Sequence, residues 1–167
     1  MPGALRRSIS LAVVLALSHR AGFSQAPPPA KLAASITRIF GAAVRVDSLR
    51  VDTSTVLRMS RADSLLGFAS VGNVIGKDQP ITFLVAIDRD DRLKDVDILV
   101  YREPYGGEVA YEPWRKQFRG KTAADSLRVG KEIRTISGAT ISVRSVTLGV
   151  KALVADLTRW HQSGAIK

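Results

Sequence analysis

The last third of the chain carries the clearest helical pattern. Apolar residues recur every three or four positions over residues 140–162, which is the spacing of one face of an α-helix. Gly149 and several β-branched residues lower the helix propensity of this segment, so we expect packing against other elements to hold it. The apolar stripe consists of Val146, Val150, Leu153, Leu157 and Trp160.

Two segments in the middle of the chain alternate apolar and polar residues, as half-buried β-strands do. They cover residues 81–87 and 93–100, and the polar run 88–91 between them predicts a turn. On this pattern Asp95 and Asp97 point to the solvent face of a hairpin. The inward positions are Phe83, Val85, Ile87, Val96, Ile98 and Val100.

Weaker patterns predict elements in the N-terminal half. Residues 30–40 have helical spacing and precede a glycine, which favours a helix that ends there. Residues 44–51 and 67–75 favour strands. The mixed pattern of residues 53–66 favours a helix.

A short helix is predicted near Pro113, because proline suits the first helical turn. Trp114 and Phe118 are four residues apart in this segment, and core packing is the better interpretation of that spacing than stacking on a ligand. Together the elements predict an α+β fold. An antiparallel sheet of meander and hairpin type is packed by helices, and the long C-terminal helix starts at the motif Ser137-Gly138-Ala139-Thr140.

The N-terminus has the composition of a secretory signal. Arg6 and Arg7 precede an apolar run over residues 9–17, which is too short to span a membrane. Small residues at 24–26 suit cleavage, and an uncleaved anchor is the alternative. The predicted divisions are a signal peptide over 1–26, a proline-rich linker over 27–35 and one domain over 36–167.

Composition excludes several kinds of chemistry. The sequence has 167 residues and no cysteine, which excludes disulfides, thiolate nucleophiles, cysteine-ligated iron–sulfur clusters and a lipid-anchored cysteine. The formal net charge is +10, but the basic residues are scattered and are not interleaved with aromatic residues. We therefore expect a cationic surface rather than a nucleic-acid binder. The acidic run 88–91 lacks the spacing of a calcium loop and favours a turn.

The motif Ser137-Gly138-Ala139-Thr140 has the properties of a phosphate site. It stands where the long helix begins, and helix N-termini present unpaired N–H groups and a partial positive charge. Gly138 and Ala139 let a large group approach the backbone, and Thr140 offers a hydroxyl in the first turn. By itself the motif favours an ordinary first-turn threonine that bonds its own backbone.

Three blocks in a fixed order resemble the FMN-binding domain of exported bacterial flavoproteins. The family includes the G-type subunit of Rnf electron-transport complexes and the C-type subunit of the sodium-pumping NADH:quinone reductase. In it, a flavin transferase esterifies the FMN phosphate onto the threonine of the motif, which corresponds to Thr140. The similar blocks are Arg102-Glu103-Pro104-Tyr105-Gly106-Gly107-Glu108, Gln117-Phe118-Arg119-Gly120-Lys121 and residues 136–150.

The resemblance implies FMN as the cofactor and places its phosphate at the motif. Thr140 would carry the ester, while Gly138 and Ala139 leave room for the phosphate. Ser137 would cap the helix, donate to the phosphate, or do both. Ser142 is near enough in the first turns to offer a further hydroxyl, and a solvated surface serine is the alternative.

The resemblance places the isoalloxazine ring at the loop 102–108. Gly106 and Gly107 permit positive φ and a close approach to a flat ring. Tyr105 would lie against the ring. Glu103 would either accept a hydrogen bond from a ring N–H or pair with Arg102. Lys121 would neutralise phosphate or reduced flavin, or remain a solvated lysine.

The function that the resemblance implies is electron carriage by an exported flavoprotein rather than self-sufficient catalysis. Its partners would be a flavin transferase and a membrane or soluble redox protein, in the periplasm or at the outer face of the cytoplasmic membrane. One residue departs from the family, because Arg134 stands where an aspartate is usual. The alternative is accordingly an exported accessory domain of the same fold without flavin.

Overall fold

A computed structural model describes residues 27–167, and the predicted signal peptide lies outside this range. The helices are α1 (Pro29–Phe40), α2 (Glu112–Arg115) and α3 (Thr140–Gln162), with 3₁₀ turns at Gly107–Ala110 and Lys116–Phe118. The strands are β1 (Arg45–Val51), β2 (Ser54–Arg61), β3 (Ser64–Ile75), β4 (Pro80–Asp88) and β5 (Leu93–Val100).

The described strands form one antiparallel sheet in the order β1-β2-β3-β4-β5. Each strand therefore pairs with its neighbour in the sequence, as in the predicted meander. The α+β fold and the start of α3 at Thr140 are confirmed. α1 begins at Pro29, so residues 29–35 of the segment predicted as a linker are helical.

The helix predicted over residues 53–66 is wrong. This segment forms β2 and the first residues of β3, joined by a turn at Ala62, whose φ is 49°. β2 is an inner strand covered on both sheet faces. Val56 packs in the core beneath α3, whereas Leu57 and Met59 pack in the core beneath α1. Apolar residues on both faces hide the alternation that marks a half-buried strand.

α1 and α3 cover opposite faces of the sheet. The core under α1 contains Leu32, Ile36 and Phe40 together with inward residues of β2 to β5. α3 packs across β3 and β4 on the other face. Gly149 makes this contact close, because a Cβ there would lie 2.6 Å from both Phe83 Cζ and Val74 Cγ1. The glycine that weakens the helix therefore allows it to approach the sheet.

The prediction that Asp95 and Asp97 lie on a solvent face is wrong. They are 3% and 8% exposed, because α1 covers the sheet face to which they point. Arg38 of α1 donates to Asp95 at 2.6 Å and to Asp97 at 2.9 Å. Arg119 reaches Asp95 at 3.2 Å, and buried Arg115 lies 3.4 Å from Asp97. The two carboxylates thus join α1 and the α2 region to β5.

Substitution of Asp95 by alanine should destabilise the fold strongly. It leaves Arg38 and Arg115 to share Asp97 and leaves Arg119 with the exposed Glu112, and removal of one partner from a buried pair is costly. We expect a loss of about 3 kcal/mol in the free energy of unfolding, measured by urea denaturation. Asp47→Ala is the matched control, because its partners Arg45 and Arg58 lie at a partly exposed site. That variant should lose less than about 1 kcal/mol, and equal losses would contradict this account.

The same cluster should make stability fall in acid. Burial by itself raises the pKa of Asp95, but hydrogen bonds from Arg38, Arg119 and the Val96 N–H outweigh it and hold the pKa below its ordinary value of 3.8. Folding therefore favours the ionised carboxylate. Its contribution is complete well above pH 3.8 and is lost as the pH falls through the folded-state pKa. Urea titrations from pH 7 to 3 should show a steeper loss for the wild type than for Asp95→Asn, and parallel curves would refute the assignment.

Candidate functional site

The motif at the start of α3 forms a turn whose side chains leave the helix end open. The Ala139 N–H donates to the Ile136 carbonyl at 3.0 Å, and Gly138 has a φ of 81°. Ala139 is the N-cap residue, and α3 has neither a side-chain cap nor an acidic residue in its first turn. Ser137 therefore does not cap the helix, and its side chain is exposed at the turn.

This helix end has the donors and the space that a phosphate needs. The first bond within the helix runs from the Val143 N–H to the Ala139 carbonyl at 2.9 Å, so the N–H groups of residues 140–142 precede the helical ladder. Thr140 is exposed, and a Cβ built on Gly138 would meet no atom within 4 Å. Buried Ala139 faces the core instead of obstructing the approach.

The loop after β5 lies directly against the first turn of α3. Gly106, with a φ of 88°, would place a Cβ 2.8 Å from Ser142 Oγ and 3.5 Å from Ala139 Cα. Tyr105 in this loop is 82% exposed, and Ile141 beside Thr140 is 48% exposed. The fold thus brings together the two segments that the sequence assigned to the ring and to the phosphate, although they are more than thirty residues apart.

Tyr101 joins the two segments and was not singled out from the sequence. Its hydroxyl donates to the Tyr105 carbonyl and lies 2.8 Å from Ser142 Oγ. Ser142 is 5% exposed, so this hydroxyl is engaged with Tyr101 inside the loop–helix contact. Burial raises the pKa of Tyr101 above its ordinary value, in opposition to the Ser142 hydrogen bond, and acidic Glu103 and Glu108 add to the rise. The only local signal was a tyrosine at the end of a predicted strand.

Glu103 holds a turn in this structure. Its Oε1 accepts hydrogen bonds from the N–H groups of Gln79 at 3.0 Å and Asp78 at 2.7 Å. These bonds hold the pKa of the carboxyl below its ordinary value. Arg102 donates to the Pro80 carbonyl at 2.8 Å. Both residues therefore fasten the loop after β5 to the β3–β4 turn, which is a role that neither of the predicted alternatives for Glu103 included.

Gln117 of the block 117–121, together with Trp114, holds the backbone three residues before the motif. Trp114 Nε1 donates to the Arg134 carbonyl at 2.9 Å, and Gln117 accepts from the Arg134 N–H at 2.9 Å. Trp114 and Phe118 are buried and meet edge to face at 5.2 Å, so their predicted core packing is confirmed. The Arg134 backbone is thereby held, while its side chain is exposed.

Lys121 lies away from the candidate site. Its carbonyl accepts from the Leu93 N–H at the start of β5, whereas Tyr101 follows the other end of that strand.

An open groove of about 410 Å³ over Arg38, Asp95 and Arg119 lies on the sheet face under α1. Its acidic residues Asp95 and Glu112 already pair with arginines of the groove. No helix in the described part of the chain is long and apolar enough to cross a membrane.

Gly106→Ala should destabilise the fold more than alanine at another glycine of positive φ. The added Cβ would lie 2.7 Å from Tyr101 Oη and 2.8 Å from Ser142 Oγ. The control is Gly130→Ala, because Gly130 has a φ of 84° and nothing within 4 Å of its Cβ position. We expect the control to lose about 1 kcal/mol from backbone strain and Gly106→Ala about 2–4 kcal/mol once overpacking is added. Equal unfolding free energies by urea denaturation would show that the loop–helix contact is loose.

Comparisons with known proteins agree with this geometry. The FMN-binding domain family matches residues 76–155, a range that includes both the loop after β5 and the start of α3. Over 86 residues the chain is 35% identical to the G-type subunit of the proton-translocating ferredoxin:NAD(+) oxidoreductase complex of Clostridium ljungdahlii. The match covers 47% of this chain and 46% of that relative, so it spans about half of the relative's length. Residues 76–155 therefore match the FMN-binding domain family, as the sequence predicted, and FMN is the cofactor that this match indicates.

Proposed function

We propose that this protein is an electron carrier whose FMN is anchored through its phosphate at the start of α3. The isoalloxazine ring lies against the loop around Tyr105. The observation that carries the proposal is the contact between Gly106 and the first turn of α3, since it unites a phosphate site and a ring site on one surface. The family match over the same residues supports it independently.

The phosphate end rests on unpaired helical N–H groups and an open approach. Three N–H groups at residues 140–142 can donate to phosphate oxygens, and the partial positive charge of the 23-residue α3 favours an anion there. The Thr140 hydroxyl is exposed in the same turn. Ser137 is exposed next to it and adds a hydroxyl donor, whereas the Ser142 hydroxyl serves the contact with Tyr101.

The ring end rests on exposed apolar surface beside the phosphate end. Tyr105 and Ile141 are among the large hydrophobic residues that the described part of the chain leaves exposed. A flat aromatic ring placed against them would cover that surface. Bound FMN supplies reversible electron transfer, and the side chains around it orient the ring and exclude water from one face.

An open site favours a covalent attachment. Thr140 and Tyr105 are both exposed, so burial alone would hold a cofactor weakly. In the proposed attachment, Thr140 Oγ loses its proton and forms a bond to phosphorus. A flavin dinucleotide is the fitting donor, because its diphosphate bond then breaks and a nucleoside monophosphate leaves. A flavin transferase would catalyse the step.

Electron carriage is supported by the relative, which belongs to a ferredoxin:NAD(+) oxidoreductase complex. The chain corresponds to about half of that relative, so the redox partner of this protein is part of the proposal. We propose a membrane or soluble redox protein outside the cytoplasm. The signal-like residues 1–26 support export to the periplasm or to the outer face of the cytoplasmic membrane.

Substitution of Thr140 should decide the covalent bond. The wild type, co-expressed with a flavin transferase, should be yellow and should remain fluorescent in a denaturing gel. Thr140→Val should lose that fluorescence completely, because valine keeps the shape and lacks the hydroxyl. Thr140→Ser is the matched control and should retain it. Intact-protein mass spectrometry should show one added FMN on the fluorescent variants alone, and fluorescence on denatured Thr140→Val would overturn the assignment.

A substitution at Arg134 distinguishes the electron carrier from the alternative, a flavin-free accessory domain. A flavin-free accessory domain is favoured by this residue, since the family usually has an aspartate there. Arg134→Asp restores the acidic residue, and the exposed side chain makes the substitution compatible with the fold. If the wild type is colourless and Arg134→Asp is labelled, the site is intact and the arginine prevents attachment. If both are colourless and neither binds free FMN in equilibrium dialysis, the accessory function is correct.

A further inference from the structure

Two hydroxyl groups make a directional hydrogen-bonded link between the ring loop and the phosphate helix. The Tyr105 carbonyl can only accept, so the Tyr101 hydroxyl proton points to it. The contact of 2.8 Å between Tyr101 Oη and Ser142 Oγ then requires the Ser142 hydroxyl to be the donor. The order of donation is therefore from Ser142 to Tyr101 to the Tyr105 carbonyl, across 41 residues of sequence.

The glycines of the loop are packed against this link. A Cβ on Gly106 would collide with both hydroxyl oxygens, at 2.7 and 2.8 Å. A Cβ on Gly107 would contact the Tyr101 ring at 3.6 and 3.7 Å. The Tyr101 side chain thus lies directly beneath the Gly106–Gly107 backbone. Its hydroxyl also sets the orientation of the Tyr105 carbonyl, and with it the peptide that leads into Gly106.

We propose that Tyr101 and Ser142 form a positioning pair that sets the orientation and reduction potential of the bound flavin. This inference rests on the proposed function. The phosphate and the ring are the two ends of one molecule, so the ring contacts depend on how far the loop stands from the helix start. The pair fixes that separation from beneath the site, without either hydroxyl touching the cofactor. Burial raises the pKa of Tyr101 still further above neutral pH, so its phenol is protonated and able to donate there.

The pair should be tested first in the flavin-free protein. Tyr101→Phe keeps the ring and removes the link, and Ser142→Ala removes only its donor. Ser142→Ala should raise hydrogen exchange of the backbone amides of residues 105–109 roughly three- to tenfold, the effect of one hydrogen bond. Tyr101→Phe removes both bonds and should raise the exchange at least as much. The double variant should exchange no faster than Tyr101→Phe, because both substitutions act on one link. Tyr111→Phe is the matched control, since Tyr111 is 65% exposed, and its exchange should be unchanged.

The loaded protein supplies the second readout. Tyr101→Phe should still attach FMN at Thr140, because that hydroxyl is exposed elsewhere on the turn. Its flavin should show lower fluorescence anisotropy and a shifted reduction potential, whereas Tyr111→Phe should match the wild type. If Tyr101→Phe fails to fold, Ser142→Ala with the Tyr101 ring in place gives the same comparison.

The outcomes separate this inference from the function on which it rests. A wild type that neither attaches nor binds FMN overturns the proposed function, whatever the exchange rates are. A labelled wild type whose anisotropy and potential are retained in both Tyr101→Phe and Ser142→Ala overturns the positioning pair and leaves the proposed function standing. Faster exchange together with altered anisotropy and potential supports the pair.

Discussion

The close approach of Gly106 to the first turn of α3 is the constraint on which the candidate site depends. No residue with a side chain fits there, because the space of a Cβ is occupied by the hydroxyl oxygens of Tyr101 and Ser142. Glycine also adopts the required φ of 88° without strain. A second glycine sets the distance between α3 and the sheet, because Gly149 lets α3 lie against Phe83 and Val74. The site is therefore built where the Gly106 backbone packs against the Tyr101 and Ser142 hydroxyls and the Ala139 backbone.

Different interactions hold the helices on the two faces of the sheet. Under α1, buried Asp95 and Asp97 are neutralised by arginines from α1 and from the α2 region, so charge holds that layer in place. Under α3 the core is apolar, and the polar groups of interest stand at the end of the helix. The first turn of α3 carries no acidic residue that would repel a phosphate.

The proposed anchoring follows from an open surface rather than a deep cavity. Helical N–H groups, a hydroxyl and an exposed aromatic side chain offer specific contacts but little burial. A covalent phosphate bond compensates for that weakness, and it suits a compartment in which a lost cofactor is not readily replaced. Arg134 changes the charge at the edge of this surface. It favours the phosphate itself while altering the group that a transferase would meet.

The sequence by itself determined the features that depend on neighbours along the chain. The periods of β4, β5 and α3, the Ser-Gly-Ala-Thr motif before the helix and the glycines of the ring loop were all visible as local patterns. The strand character of β2 was hidden, because burial on both faces removes the alternation. The cofactor was predicted from the family resemblance, because the periodicity of apolar residues carries no information about a cofactor.

Only the tertiary structure decided which distant residues meet. Arg38 and Asp95 are 57 positions apart, so nothing near the aspartates indicated that a helix would cover them. Tyr101 and Ser142 are 41 positions apart, and neither segment by itself indicated that the two hydroxyls would meet. The sequence likewise did not indicate that the Glu103 carboxylate would accept a hydrogen bond from the β3–β4 turn. Local patterns record the preferences of a segment, whereas hydrogen bonds and ion pairs across the fold depend on how the segments pack.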